Sequence, residues 1–150
     1  MARILSKSEK ETIRLGEQLA KSLRRGDIVC LCGDLGSGKT TFVKGLAKGL
    51  KASPLKVNSP TFVLLNIYKG KWPIFHFDLY RLSRAQEIAS TGCDEFFYGN
   101  GVAVVEWAEK LGEFIPKEYI QVRFVHAGKD KRSITISAQG NGVKGRLKQL

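Results

Sequence analysis

Polar Ser8-Glu9-Lys10-Glu11 gives way to Ile13, Leu15, Leu19, Ala20 and Leu23 at helical spacing. A serine followed three residues later by a glutamate is a capping box, so a helix is predicted from there to a stop at Gly26. The period then changes. Asp27-Ile28-Val29-Cys30-Leu31-Cys32 is apolar on alternate and intervening positions alike, the pattern of a strand covered on both faces at the centre of a parallel sheet. After a glycine-rich turn, Phe42, Val43, Leu46, Ala47 and Leu50 form a helical stripe, with Lys44, Lys48 and Lys51 on the remaining face.

Further along, Thr61 to Tyr68 and Ile74 to Leu79 are β-rich runs joined by Lys69-Gly70-Lys71-Trp72-Pro73, which predicts a hairpin. Residues from Ser83 to about Phe97 suit a helix or helical loop. Val102-Ala103-Val104-Val105 is a second run covered on both faces. Alternation over Tyr119 to Val125 and Ser133 to Ser137, around Ala127-Gly128-Lys129-Asp130, predicts another hairpin, and a short basic tail begins at Gly142. The element order implies an α/β fold: one domain over residues 1–150, with a mixed β-sheet flanked by helices.

The length of 150 residues suits one domain with a full core. With 43% apolar and 26% charged residues the chain resembles an average globular domain, which excludes disordered and collagen-like classes. Neither a run of membrane-spanning length nor an apolar segment of signal-peptide length is present, so a cytoplasmic protein is expected. A net charge of +11 attracts polyanions. The lysines and arginines are scattered and not interleaved with aromatics, so a solvated basic surface is the favoured reading over direct RNA contact. Cys30 and Cys32, two apart on a strand, share a face, and with only His76 and His126 elsewhere they read as buried thiols in preference to zinc ligands.

The turn itself carries chemistry. Gly33-Asp34-Leu35-Gly36-Ser37-Gly38-Lys39-Thr40 fits G-x-x-x-x-G-K-[ST], between a predicted strand and a predicted helix. Glycines let main-chain amides converge on phosphate oxygens without a side chain intervening. Lys39 is a compact cation for the β- and γ-phosphates, the Thr40 hydroxyl is a Mg²⁺ ligand, and the helix N-terminus favours the anion. A shuffled chain of this composition would match the pattern roughly 2% of the time, and the strand–turn–helix setting lowers that further. No Asn-Lys-x-Asp run is present to read guanine, which favours ATP.

Phosphoryl transfer also needs an acid to hold the metal and a group to orient the nucleophile. Glu106 directly follows Val102–Val105, and Asp78 follows Ile74-Phe75-His76-Phe77, so both are placed at the carboxyl ends of strands, where ligands of open α/β sheets sit. The competing readings are a surface acid for Glu106 and a salt bridge with Arg81 for Asp78. His76 is read as a core or hairpin-face residue and Trp107 as packing beside the metal ligand.

Together, Gly33 to Phe42, Ser59-Pro60-Thr61-Phe62, His76-Phe77-Asp78-Leu79-Tyr80-Arg81-Leu82 and Val105-Glu106-Trp107 resemble the TsaE family, the bacterial ATPases of tRNA threonylcarbamoyladenosine biosynthesis. That resemblance implies a P-loop NTPase-like domain and a Mg²⁺-dependent ATPase, slow alone and stimulated by its partners TsaD and TsaB. Those partners assemble the threonylcarbamoyl group on the adenosine beside the anticodon. tRNA is met indirectly through the complex, and neither DNA nor a membrane is implied. Carried over residue by residue, Lys39, Asp78 and Glu106 are catalytic, and Thr40 and Glu106 hold Mg²⁺. Asp34, Gly36, Ser37, Gly38, Lys39, Thr40, Thr41, Thr61, Trp107 and Lys129 bind the nucleotide, with Thr61 in a switch-like loop. Two alternatives stay open. A small-molecule kinase needs an Arg-bearing lid, for which only Arg81 to Arg84 offers itself. A nucleic-acid module would use the charge and hydrolyse nothing.

Overall fold

The computed structural model describes residues 1–34, 36–58, 65–84, 87–88 and 92–149. Ser59-Pro60-Thr61-Phe62 therefore lies outside the described residues, as do the first positions of the run predicted from Thr61 and part of that predicted over Ser83 to Phe97. Among the described residues the strands are β1 (Ala2–Ser6), β2 (Ile28–Gly33), β3 (Leu65–Tyr68), β4 (Ile74–Asp78), β5 (Val102–Glu106), β6 (Tyr119–Gly128) and β7 (Lys131–Gln139). They form one sheet in the order β1-β7-β6-β2-β5-β4-β3. The middle four, β6, β2, β5 and β4, run parallel; β7 and β3 pair antiparallel with β6 and β4, and β1 pairs antiparallel with β7 at the edge. The α-helices whose two ends lie among the described residues are α1 (Glu9–Ala20), α2 (Lys39–Gly49), α3 (Cys93–Phe97) and the single turn α4 (Asn141–Lys144). The architecture is thus the mixed, helix-flanked α/β sheet of a P-loop NTPase-like domain.

Strand pleating explains why two strands are apolar throughout. Side chains alternate between faces, so Val29, Leu31, Val102 and Val104 join the cluster containing α1 and α2. Ile28, Cys30, Cys32, Ala103 and Val105 join the opposite cluster with Phe77, Cys93 and Phe97. Cys30 and Cys32 share the second face as buried free thiols, and desolvation pushes both above the ordinary thiol range. Such thiols stay protonated and behave as small apolar groups.

Local signals place the helices with one adjustment, at the end of α1. The Ser8 hydroxyl caps α1 by accepting from the Glu11 amide at 3.2 Å, and the Glu11 carboxylate returns to the Lys7 amide at 2.7 Å. The helix ends at Ala20, six residues ahead of Gly26, because Lys21, Ser22 and Leu23 each bond three residues back and tighten the chain into 3₁₀-type turns. Leu23 is still buried, so its apolar signal was read as helix when it belonged to the turn. Strand β1 had no sequence prediction. Its partner β7 is about 130 residues away, and a lone edge strand has no local signature.

Helices α1 and α2 cross with their backbones in contact. A Cβ on Gly45 would lie 2.1 Å from the Ile13 carbonyl oxygen, and one on Gly16 would lie 2.5 Å from that of Phe42. This approach sets the position of α2 and therefore of the loop preceding it. Gly45→Ala gains about 1 kcal/mol of helix propensity, but the clash is with main chain, which cannot rotate away, and overpacking costs about 1–3 kcal/mol. Net destabilisation with a thermal midpoint lowered by several degrees is expected. A raised midpoint would show that the helices can separate freely.

Candidate functional site

Because β2, β5 and β4 are parallel neighbours, their carboxyl ends open on one edge of the sheet. Gly33 ends β2, Glu106 ends β5 and Asp78 ends β4. Register brings Glu106 opposite Leu31 on one side and opposite Asp78 on the other. The loop leaving β2 enters α2 here, with Gly38 at φ 104° immediately before the helix, a conformation that side chains with a Cβ rarely adopt. First-turn amides of an α-helix have no intrahelical acceptor, so the start of α2 presents free N–H groups and the positive end of its dipole to the same edge.

A cavity of about 420 Å³ occupies this edge, between the loop residues Gly36, Ser37 and Gly38, the helix start, and the strand-end acids. Lys39 is 5% exposed, and its Nζ donates to the carbonyls of Gly33 and Asp34, the latter at 3.1 Å. The ammonium also sits 3.9 Å from the centroid of the Trp107 ring, a cation–π contact. Burial lowers the Lys39 pKa below the ordinary lysine value, opposed by the field of the carboxylates Glu106, Glu109, Asp78 and Asp34. Such a cation is poorly solvated and gains strongly from an incoming anion.

Glu106 is the hub. Only 3% exposed, it has Thr40 Oγ1 at 3.1 Å from each carboxylate oxygen and His76 Nε2 at 2.6 Å from Oε2. Asp78, also buried, accepts from the Tyr80 amide at 2.9 Å. Trp107 follows Glu106 at φ 59°, and this left-handed residue lays its ring beside Lys39 and 5.0 Å from that of Tyr80.

Two observations bear on what fits. Ser37 Oγ is buried and has no hydrogen-bond partner among the described residues, at the lining of the cavity. An unsatisfied buried hydroxyl costs roughly 1–3 kcal/mol, which an anionic oxygen beside it would relieve. A hydroxyl paired with a carboxylate is a hard oxygen donor set, the kind that suits Mg²⁺ when phosphate oxygens and waters complete it. A triphosphate and its magnesium ion therefore match the residues present.

Of the sequence-predicted residues, Gly36, Ser37, Gly38, Lys39, Thr40, Thr41, Asp78, Glu106 and Trp107 line this one cavity. Asp34 is exposed, joined to it through its main-chain oxygen. Lys129 is exposed in the β6–β7 turn and is not among the lining residues, while Thr61 lies outside the described residues. Three lining residues had no sequence prediction: Glu9, Tyr80 and Arg132. Arg132 stands three positions beyond Lys129, and its guanidinium donates to the Gly36 carbonyl at 3.3 Å. A search for cations reaching back from the second hairpin would have had to know the β6–β7 register to choose between them.

A profile of the family described as "Threonylcarbamoyl adenosine biosynthesis protein TsaE" matches residues 6–134. Among curated relatives, a "tRNA threonylcarbamoyladenosine biosynthesis protein TsaE" of Bacillus subtilis is 44% identical over 133 residues, covering 88% of this chain and 82% of the relative. One of Treponema pallidum is 37% identical over 135 residues, covering 90% and 99%. The crystal structure of the Bacillus protein YdiB superposes with a TM-score of 0.82 at 35% identity, over 99% of this chain and 92% of that one.

Proposed function

The chain belongs to the TsaE family, and from that membership we propose that it binds and hydrolyses ATP with Mg²⁺ in support of tRNA threonylcarbamoyladenosine biosynthesis, together with TsaD and TsaB. The observation that carries this reading is the Thr40 hydroxyl 3.1 Å from the Glu106 carboxylate, beside the buried Lys39 ammonium at a helix start. Residues 36–40 would grip the β- and γ-phosphates through main-chain amides and Lys39, which turns from its carbonyl partners to the anion. Thr40 and Glu106 would hold the magnesium ion, which supplies charge neutralisation on the phosphate oxygens. Asp78, next to Glu106 in register, would orient the attacking water through its carboxylate. Trp107 would keep the Lys39 side chain in its channel and exclude water from one side.

The adjoining cavity of about 270 Å³ shares Glu9, Gly38, Thr41 and Arg132 with the phosphate cavity and continues to Lys7, Ser8 and Asp130. It is the natural place for the nucleoside, since it lies beyond the phosphate loop at the start of α2. No helix among the described residues is long and apolar enough to cross a membrane.

Phosphate release from ATP and Mg²⁺, measured alone and with TsaD and TsaB, tests the proposal. Slow release that rises on addition of the partners is expected. Consumption of ATP only with a metabolite pool would assign a kinase instead. Salt-sensitive tRNA binding that is indifferent to Lys39→Ala, without hydrolysis, would assign a nucleic-acid module.

A further inference from the structure

Position 76 lies on the α2-facing side of β4, in line with Ile74 and beside Val104 of β5. An aliphatic side chain would pack there with no polar atom to satisfy, yet His76 is fully buried. Both ring nitrogens have partners: Nε2 lies 2.6 Å from Glu106 Oε2, and Nδ1 lies 2.8 Å from the Tyr68 hydroxyl. The Tyr68 oxygen is also 3.2 Å from the Asn58 carbonyl, the longer of two contacts open to a single hydroxyl proton. Burial raises the Tyr68 pKa, so the phenol keeps that proton.

These contacts fix directions. A carboxylate only accepts, so Nε2 carries a proton and donates to Glu106. In the neutral ring so protonated, Nδ1 accepts from Tyr68, and the Tyr68 hydroxyl holds the ring against a flip. Of the Glu106 oxygens, Oε2 is thereby committed to His76, which fixes the carboxylate plane against Thr40. Partners behind a metal-binding side chain set its orientation in this way, and losing one typically weakens metal binding by roughly 10–100-fold.

We propose that His76, held by Tyr68, is the positioning residue that orients the Glu106 carboxylate for the metal ion. This deepens the reading of Thr40 and Glu106 as magnesium ligands and rests on it. It separates His76 from a core histidine that is merely satisfied. For the latter, removal would lower stability without changing the metal requirement.

The test titrates Mg²⁺ against full-length protein with the non-hydrolysable analogue AMP-PNP, following binding by calorimetry. His76→Leu should raise the Mg²⁺ concentration for half-effect by roughly 10–100-fold. His76→Gln, which retains an N–H of similar reach, should stay within about threefold, and Tyr68→Phe should fall between. Equal shifts for Leu and Gln, or none beside a magnesium-dependent wild type, would overturn the positioning role alone. A wild type indifferent to Mg²⁺ would overturn the metal reading and this inference together. Should His76→Leu not fold, Tyr68→Phe decides, and an unchanged half-effect concentration overturns the proposal. Independently, ¹⁵N NMR of the nucleotide-free protein should find His76 protonated at Nε2, and a bare Nε2 would overturn it.

Discussion

Lys39→Ala is expected to cut ATP turnover by roughly 10²–10³-fold, the usual cost of removing one preorganised donor from developing charge, while leaving the fold intact. The reasoning rests on what the ammonium does without ligand. It is buried against two carbonyls and an indole, and burial depresses its pKa. The charged form is therefore less favourable in the folded chain than in the unfolded one. Its cost to stability is fully present at pH values below the folded pKa. That cost is relieved as pH rises through the folded value towards the unfolded one, about 10.4. Alanine removes the cost and also the contacts, so the neutral-pH thermal midpoint should stay close to wild type or rise. Any advantage of the variant should shrink in alkaline buffer. Phosphate release and thermal unfolding at two pH values check both halves. Normal turnover in the folded variant would remove Lys39 from the phosphate site, and a collapsed midpoint would make it a structural residue.

That the phosphate loop was legible in sequence has a local cause. Strand, turn and helix are contiguous, so Gly33 to Thr40 carry their own geometry. Asp78 and Glu106 were legible for a related reason: each ends an apolar run, and parallel strands bring such ends together whatever their separation in the chain. What was not legible depends on register between distant strands. Arg132 reaches Gly36 because β7 pairs His126 with Arg132 on one side and Ser6 with Arg132 on the other. Lys129, nearer the turn, is in the segment where chemistry is usually sought. Glu9, the first residue of α1, lines the cavity three positions after Ser6, which that same pairing sets opposite Arg132.

The His76 network shows the limit most clearly. Alternation correctly set His76 apart from Phe75 and Phe77, which pack in the opposite layer. Its partners come from two strands and a loop: Glu106 from β5, Tyr68 from β3, and Asn58 behind Tyr68. No spacing rule connects them. A buried polar residue in an apolar layer is a signal only once the layer is known.

Glu106→Gln is expected to lower turnover by roughly 10²-fold or more, on the scale of losses seen for groups that serve a catalytic metal. The loss should come through the metal and not through the nucleotide. Glutamine keeps the volume in a site that is 3% exposed, and its carbonyl oxygen can still accept from His76. What disappears is the charge, and Mg²⁺ bound through one or two carboxylates depends on it. Polyphosphate, by contrast, is repelled by a carboxylate beside it. ADP affinity measured without Mg²⁺ should accordingly be unchanged or tighter. The two measurements separate alternatives that an activity assay alone would merge. Weaker metal binding with intact ADP binding makes Glu106 a ligand. Loss of both would mean the Thr40–Glu106–His76 chain is needed to shape the loop. If turnover and metal requirement both persist, the charge is dispensable and the hydroxyl–carboxylate pair serves only to anchor the first turn of α2.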